Sequence, residues 1–296
     1  MFCHSILRIS VTKMINRELQ PFSERYRDIF SSEKSSSAKV LLKTVKTVWP
    51  QKGEIGGNLY KFARILDSAA DESVFVIPVR KMIQKEIRSL NGQSEKTDLQ
   101  RELVDESLIN YPLVLQNRIK FHLSRMLRGI LIDLDLRYTQ RPPTRERVFL
   151  RNYLNLFESL QVLSLVVADN ETRDNRQSRV IMDLWGQYDT LVDLSEDLPN
   201  GLCLIDRDTM EKYKIKLQID QTVPKESLRR FQKNEGKRIA NDLLQSQKDI
   251  LFLGLPPWLA VMFFCYFLTK QSKLRWPPLV GSGLVYRPPL DAITRT

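Results

Sequence analysis

A chain of 296 residues, 42% hydrophobic and 27% charged, is long enough for one large domain or two smaller ones with real cores. Its net charge of +11 fits contact with nucleic acid, an anionic membrane surface or acidic proteins, and equally a solvated cationic surface, because no lysine–arginine block appears. Cys3, Cys203 and Cys265 lie far apart and only His4 and His122 supply imidazole, which argues against a disulfide framework, a zinc or haem site and histidine acid–base chemistry.

The first 17 residues carry Arg8, Lys13 and Arg17 and no acid. Such a start fits a mitochondrial presequence or a loose helical extension. Ser31 to Lys39 (SSEKSSSAK) reads as a flexible linker, and Pro50 to Gly57 (PQKGEIGG) as a turn-rich break and loop before a helix. A basic extension and linker is therefore expected over 1–54, with a helical domain over 55–200.

Leu59, Phe62 and Leu66 open that domain at helical spacing. Asp71 and Ser73 offer N-caps for a second helix, where Val79, Met82, Ile83, Ile87 and Leu90 form one stripe and Asn91-Gly92 a stop. A third helix is expected from Thr97, broken at Pro112. The longest pattern follows, Leu113 to Tyr138, with Ile119, Leu123, Met126, Leu127, Ile130, Leu131 and Leu134 repeating at three and four. Arg118, Arg125 and Arg128 fall on another side of it, with His122 between them. Such a row fits phosphates, a partner's carboxylates, or a solvated face paired with neighbouring acids. Aromatic interleaving of the kind that stacks single-stranded bases is missing.

Pro142-Pro143 closes that helix, and Thr144 starts the next, with Phe149, Tyr153, Leu156, Leu160 and Leu163 along one side. Asp169 to Arg179 reads as a charged loop, and Arg179 to Val192 as a shorter helix or mixed element. Beyond Pro199, GLCLIDRD and YKIKLQID alternate like strands, so a small mixed appendage with a helix from Lys225 to Gln247 is expected over 201–249. Residues 250–296 are a hydrophobic segment and an irregular tail. Ile250 to Thr269 has twenty residues without a charge, and three readings stand: a transmembrane helix, a buried core helix, or sequence foreign to the natural product.

No phosphate loop, dinucleotide-binding turn, HExxH helix or GxSxG elbow is present. Asp133 and Asp135 are two apart on a helix and point to different faces, so they cannot share a substrate or metal. Glu196 and Asp197 read as a capping or surface pair. The expected class is mainly α, a helical bundle followed by a small β-containing or irregular appendage, with no catalytic set, no cofactor and no metal.

Residues from about Gly57 to Ile205 resemble the PSF-one family of GINS subunits, the four-subunit assembly of the eukaryotic replicative helicase. The resemblance is carried by GGNLYKFARIL, by VRKMIQKEIRSL, and by Leu115, Asn117 and Arg118 followed by Leu136, Arg137 and Tyr138. Glu146, Phe149 or Leu150, and Tyr153 match the family's next helix start, and DLSEDLP its acidic stretch. Ile119 and Lys120 stand where the family has a basic residue and a cysteine, and the hydrophobic tail has no counterpart. The resemblance implies a nuclear, non-catalytic scaffold packed against sister subunits and the helicase ring, with indirect or weak DNA contact. Arg118, Arg125, Arg128 and Arg137 are the implied partner or DNA contacts. The alternative is a mitochondrial assembly protein anchored in a membrane through Ile250 to Thr269.

Overall fold

A computed structural model describes residues 37–73, 75–217, 223, 225–246 and 254. Among them the chain is mainly helical and holds no strand. Helix α1 is Ser37–Val48, α2 Pro50–Glu72 and α3 Val76–Leu90. Helix α4 joins Asp98–Gln100, a π-turn at Arg101–Asp105 and Glu106–Leu108. Helix α5 is Leu113–Thr139, and α6 joins Arg145–Asn152, a π-turn at Tyr153–Phe157 and Glu158–Ala168. Helices α7 (Arg176–Asp197), α8 (Arg207–Tyr213) and α9 (Lys225–Gln245) follow.

Local chemistry sets most boundaries. Thr97 and Thr144 each accept a backbone N–H of the helix they start, and Asn175 and Ser178 close a reciprocal box at the start of α7. Gly92, at φ 69°, ends α3, and its successor Gln93 donates back to the Arg88 carbonyl at 2.8 Å. Lys52 Nζ and the Tyr111 hydroxyl donate to the Val167 and Val166 carbonyls at the end of α6, satisfying groups the helix itself cannot.

Two hydrophobic cores result. In the first, α2 to α5 and the last turns of α6 enclose Leu59, Phe62, Leu66, Val79, Ile83, Leu103, Leu127 and Leu165. In the second, the start of α6 joins α7, α8 and α9 around Phe157, Ile181, Trp185, Tyr188, Tyr213 and Phe231. Helix α6 belongs to both cores, and Asn152 on it is fully buried. It packs through notches: a Cβ on Gly186 of α7 would overlap Asn152, and one on Gly129 of α5 would overlap Asn155.

Four expectations are corrected. PQKGEIGG is no break: α2 runs through it, and Gly53, Gly56 and Gly57 are buried helix residues, with the Lys46 backbone of α1 where a Gly53 side chain would stand. Asp71 lies inside α2 and caps nothing, although the Ser73 hydroxyl does accept the Phe75 N–H at 3.0 Å. Arg179 to Val192 is neither a short helix nor a mixed element, because α7 runs from Arg176 through Asp197. The strand-like GLCLIDRD is a non-helical run over Leu202 to Asp206 that has no sheet partner among the described residues, and its last two residues open α8: Leu202 and Leu204 pack on Leu136, while Cys203 and Ile205 enter the second core. Its alternation reports two buried sides, which a strand-like pattern alone does not distinguish from a sheet.

The stripe expected on α6 is also incomplete. Leu160 and Tyr153 are buried, but Phe149, Leu156 and Leu163 are only partly so, and Leu154, Val162, Leu165 and Val166 are buried instead. The π-turn adds a residue to one turn and rotates everything after it. The basic first 17 residues, most of the SSEKSSSAK linker and Ile250 to Thr269 lie outside the described residues, apart from Gly254.

Candidate functional site

The arginine row of α5 divides into three situations. Arg125 Nε lies 2.5 Å from Glu158 Oε1 on α6, and His122 Nδ1 lies 2.6 Å from the other oxygen of the same carboxylate. His122 Nε2 and Arg118 Nε face Glu171 at 3.5 and 3.7 Å. His122 is therefore buried between two carboxylates. With both ring nitrogens so engaged, it has no nitrogen left for a nucleophile or substrate. Arg128 is exposed and makes no ion pair among the described residues.

Arg137 is a correction. It is buried, donating to the Ala70, Ser73 and Asn200 carbonyls, so it ties the end of α2 to the turn after α7 and offers no surface contact. The reason is position: its place in the last turn of α5 faces the seam between the cores. There Arg151 of α6 forms a forked pair with Asp133 of α5 at 2.9 to 3.2 Å. Burial raises the Asp133 carboxyl, which Arg151 partly offsets. Asp135, two residues on, instead meets Arg80 and Arg147, so the two aspartates serve different faces. Burial, followed by the charges of Asp67 and Asp133, raises the Asp71 carboxyl to about 8. Asp197 is likewise raised well above its ordinary range, chiefly by burial.

Beside the surviving arginines the surface is apolar. Ile109, Leu113, Val114 and Phe121 are 72%, 70%, 64% and 50% exposed. Val114 and Phe121 are seven residues apart on α5 and so share a face. Arg125 lies over the Phe121 ring at 5.5 Å from its centroid. The outward side of α5 thus interleaves Val114 and Phe121 with Arg118, Arg125 and Arg128.

A second cationic surface was not foreseen. A cleft of 630 Å³ between α6, α7 and α9 is lined by Arg145, Arg176, Arg179 and Arg238, with Phe149 and Val180 among its apolar walls. These arginines come from three helices, and only Arg176 and Arg179 are near one another in sequence. Arg179 makes a forked pair with Asp174 at 2.9 and 3.1 Å, which lowers the Asp174 carboxyl. Arg145 pairs with Asp183. Arg238 donates to Glu235 at 2.6 Å and to Asp242 at 2.8 Å. Burial would raise Glu235, but hydrogen bonds from Lys212, Arg238 and Tyr213 bring it to about 2.

Cys203 is buried in the second core and its thiol is pushed up to about 12 by that burial, which leaves it unreactive. Among the described residues no group of three or more His, Cys, Asp and Glu could hold a metal ion. No helix among them is long and apolar enough to cross a membrane. No family model, curated protein or solved structure matches the chain.

Proposed function

We propose that the chain is a non-catalytic scaffold subunit of GINS type, which buries the outward side of α5 against sister helical subunits in the nucleus and so supports the replicative DNA helicase. The reading rests on the sequence resemblance over about Gly57 to Ile205 and on one observation. Val114 and Phe121 stand in solvent on the same side as Arg118, Arg125 and Arg128. Fully burying a large apolar side chain contributes about 1.5–3 kcal/mol, so covering Val114 and Phe121, each at least half exposed, favours association by roughly 2–3 kcal/mol before ordering costs. Contiguous apolar groups rimmed by charge mark protein contact surfaces more often than solvated ones.

Co-expression with candidate sister subunits tests the proposal. Stable hetero-oligomers are expected by light scattering, and Val114→Asp with Phe121→Asp should abolish them while leaving the thermal midpoint nearly unchanged. A wild-type chain that stays monomeric and captures none of those subunits would overturn it.

A further inference from the structure

We infer that the arginine-lined cleft between α6, α7 and α9 is a receptor for a phosphorylated peptide segment of a partner protein. This site is separate from the α5 face and does not rest on the scaffold reading.

The first argument is electrostatic. Four arginines line the cleft; Arg238 is taken by Glu235, Asp242 and Gln187, which leaves Arg145, Arg176 and Arg179 against Asp174 and Asp183. Arg176, the first residue of α7, lines the cleft, is exposed and makes no ion pair among the described residues, so none of its five N–H donors is committed to a carboxylate there. Arg179 and Arg145 are held by Asp174 and Asp183, which fixes their side chains while using only some of their donors. Guanidinium groups positioned in advance lose less freedom on binding an anion. A phosphoryl dianion, with three acceptor oxygens, matches such a cluster better than a lone carboxylate does.

The second argument concerns the body of the ligand. Phe149, Val180 and Leu184 line the same cleft, so the group beside the phosphoryl is apolar. Phe149 is already stacked parallel to Tyr153, at 6.3 Å between centroids, so one face of its ring is taken. The aspartates interleaved with the arginines repel a continuous polyphosphate backbone but leave room for one dianion at Arg176. A single phosphorylated side chain next to an aliphatic residue fits that pattern better than a nucleic acid strand.

The test uses the full chain and three bead-bound probes: peptides with a central phosphoserine among random residues, the same pool with serine, and a single-stranded thymidine oligonucleotide. Retention on the phosphorylated pool should exceed that on the serine pool by about tenfold or more. Arg176→Ala should remove most of that preference without moving the thermal midpoint, since this side chain is exposed, and Arg128→Ala should leave the preference intact. Equal retention on the two peptide pools would overturn the inference, as would an unchanged preference in Arg176→Ala. Stronger retention on the oligonucleotide would assign the cleft to nucleic acid. Elution by inorganic phosphate as effectively as by soluble phosphopeptide would reduce it to a bare anion pocket and also overturn the peptide assignment.

Discussion

The two cores are made of different material. The first is almost wholly aliphatic, with Leu59, Ile65, Leu66, Ile83, Leu123, Leu127 and Leu165 meeting across regular helices. The second gathers Tyr153, Phe157, Trp185, Tyr188, Tyr213 and Phe231, and includes an extended segment that cannot satisfy its backbone internally. The comparison shows where polar support is needed. Arg137 reaches the Asn200 carbonyl beside that extended segment, and Gln232 donates to the Leu191 carbonyl at 3.2 Å inside the aromatic core. Helix α6 contributes to both cores, so they can separate only if its contacts and the Asp133–Arg151 pair give way.

That linkage can be broken most directly at the pair itself. Arg151→Met leaves the buried Asp133 carboxylate without its cation and should cost about 3–5 kcal/mol in urea unfolding. Adding Asp133→Asn should recover a large part of the loss. Two separate transitions in the wild-type chain would show that the cores are not coupled.

The packing notches sharpen the same comparison. Gly186→Ala, on the aromatic side, should cost roughly 2–3 kcal/mol, because the fully buried Asn152 has nowhere to move. Gly129→Ala, on the aliphatic side, should cost about 1 kcal/mol, since the half-buried Asn155 can swing aside. Equal costs would mean that α6 shifts as a rigid body.

A proton reports on the seam as well. Asp71 is raised from 3.8 to about 8, so between those values the folded chain keeps a proton that the unfolded chain has released. Its contribution to stability is therefore full at acid pH and is lost as the pH rises toward 8. Asp71→Asn should match the wild type near pH 4 and exceed its melting temperature at pH 8 by on the order of 5 °C. An identical pH profile would remove Asp71 from the seam. The smallest effect is expected at Arg128→Ala, within about 0.5 kcal/mol in the same unfolding assay, because the side chain has no ion-pair partner among the described residues.

Much of the aliphatic core was legible in the chain. Thr97, Thr144 and Gly92 are local signals, and the stripes on α3 and α5 repeat without interruption. What escaped reading depended on neighbours distant in sequence. Glycines in PQKGEIGG suggest a turn until α1 packs against them, and Leu202 to Ile205 suggest a strand until two buried surfaces are found on either side. The arginine row on α5 was visible, but its pairing with Glu158 and Glu171 was not, and Arg137 differs from its neighbours only in where its helix ends. The cleft left no local trace, since its arginines converge from three helices.

The π-turn at Tyr153–Phe157 carries a consequence for tolerance to insertion and deletion. Loss of one residue within it would give a locally better helix, yet swing Glu158–Ala168 by about 100° about the helix axis. Glu158 would then leave Arg125 and His122, and Leu165 would leave the aliphatic core. A codon deleted there should therefore cost the contacts of the whole second half of α6, not those of one residue.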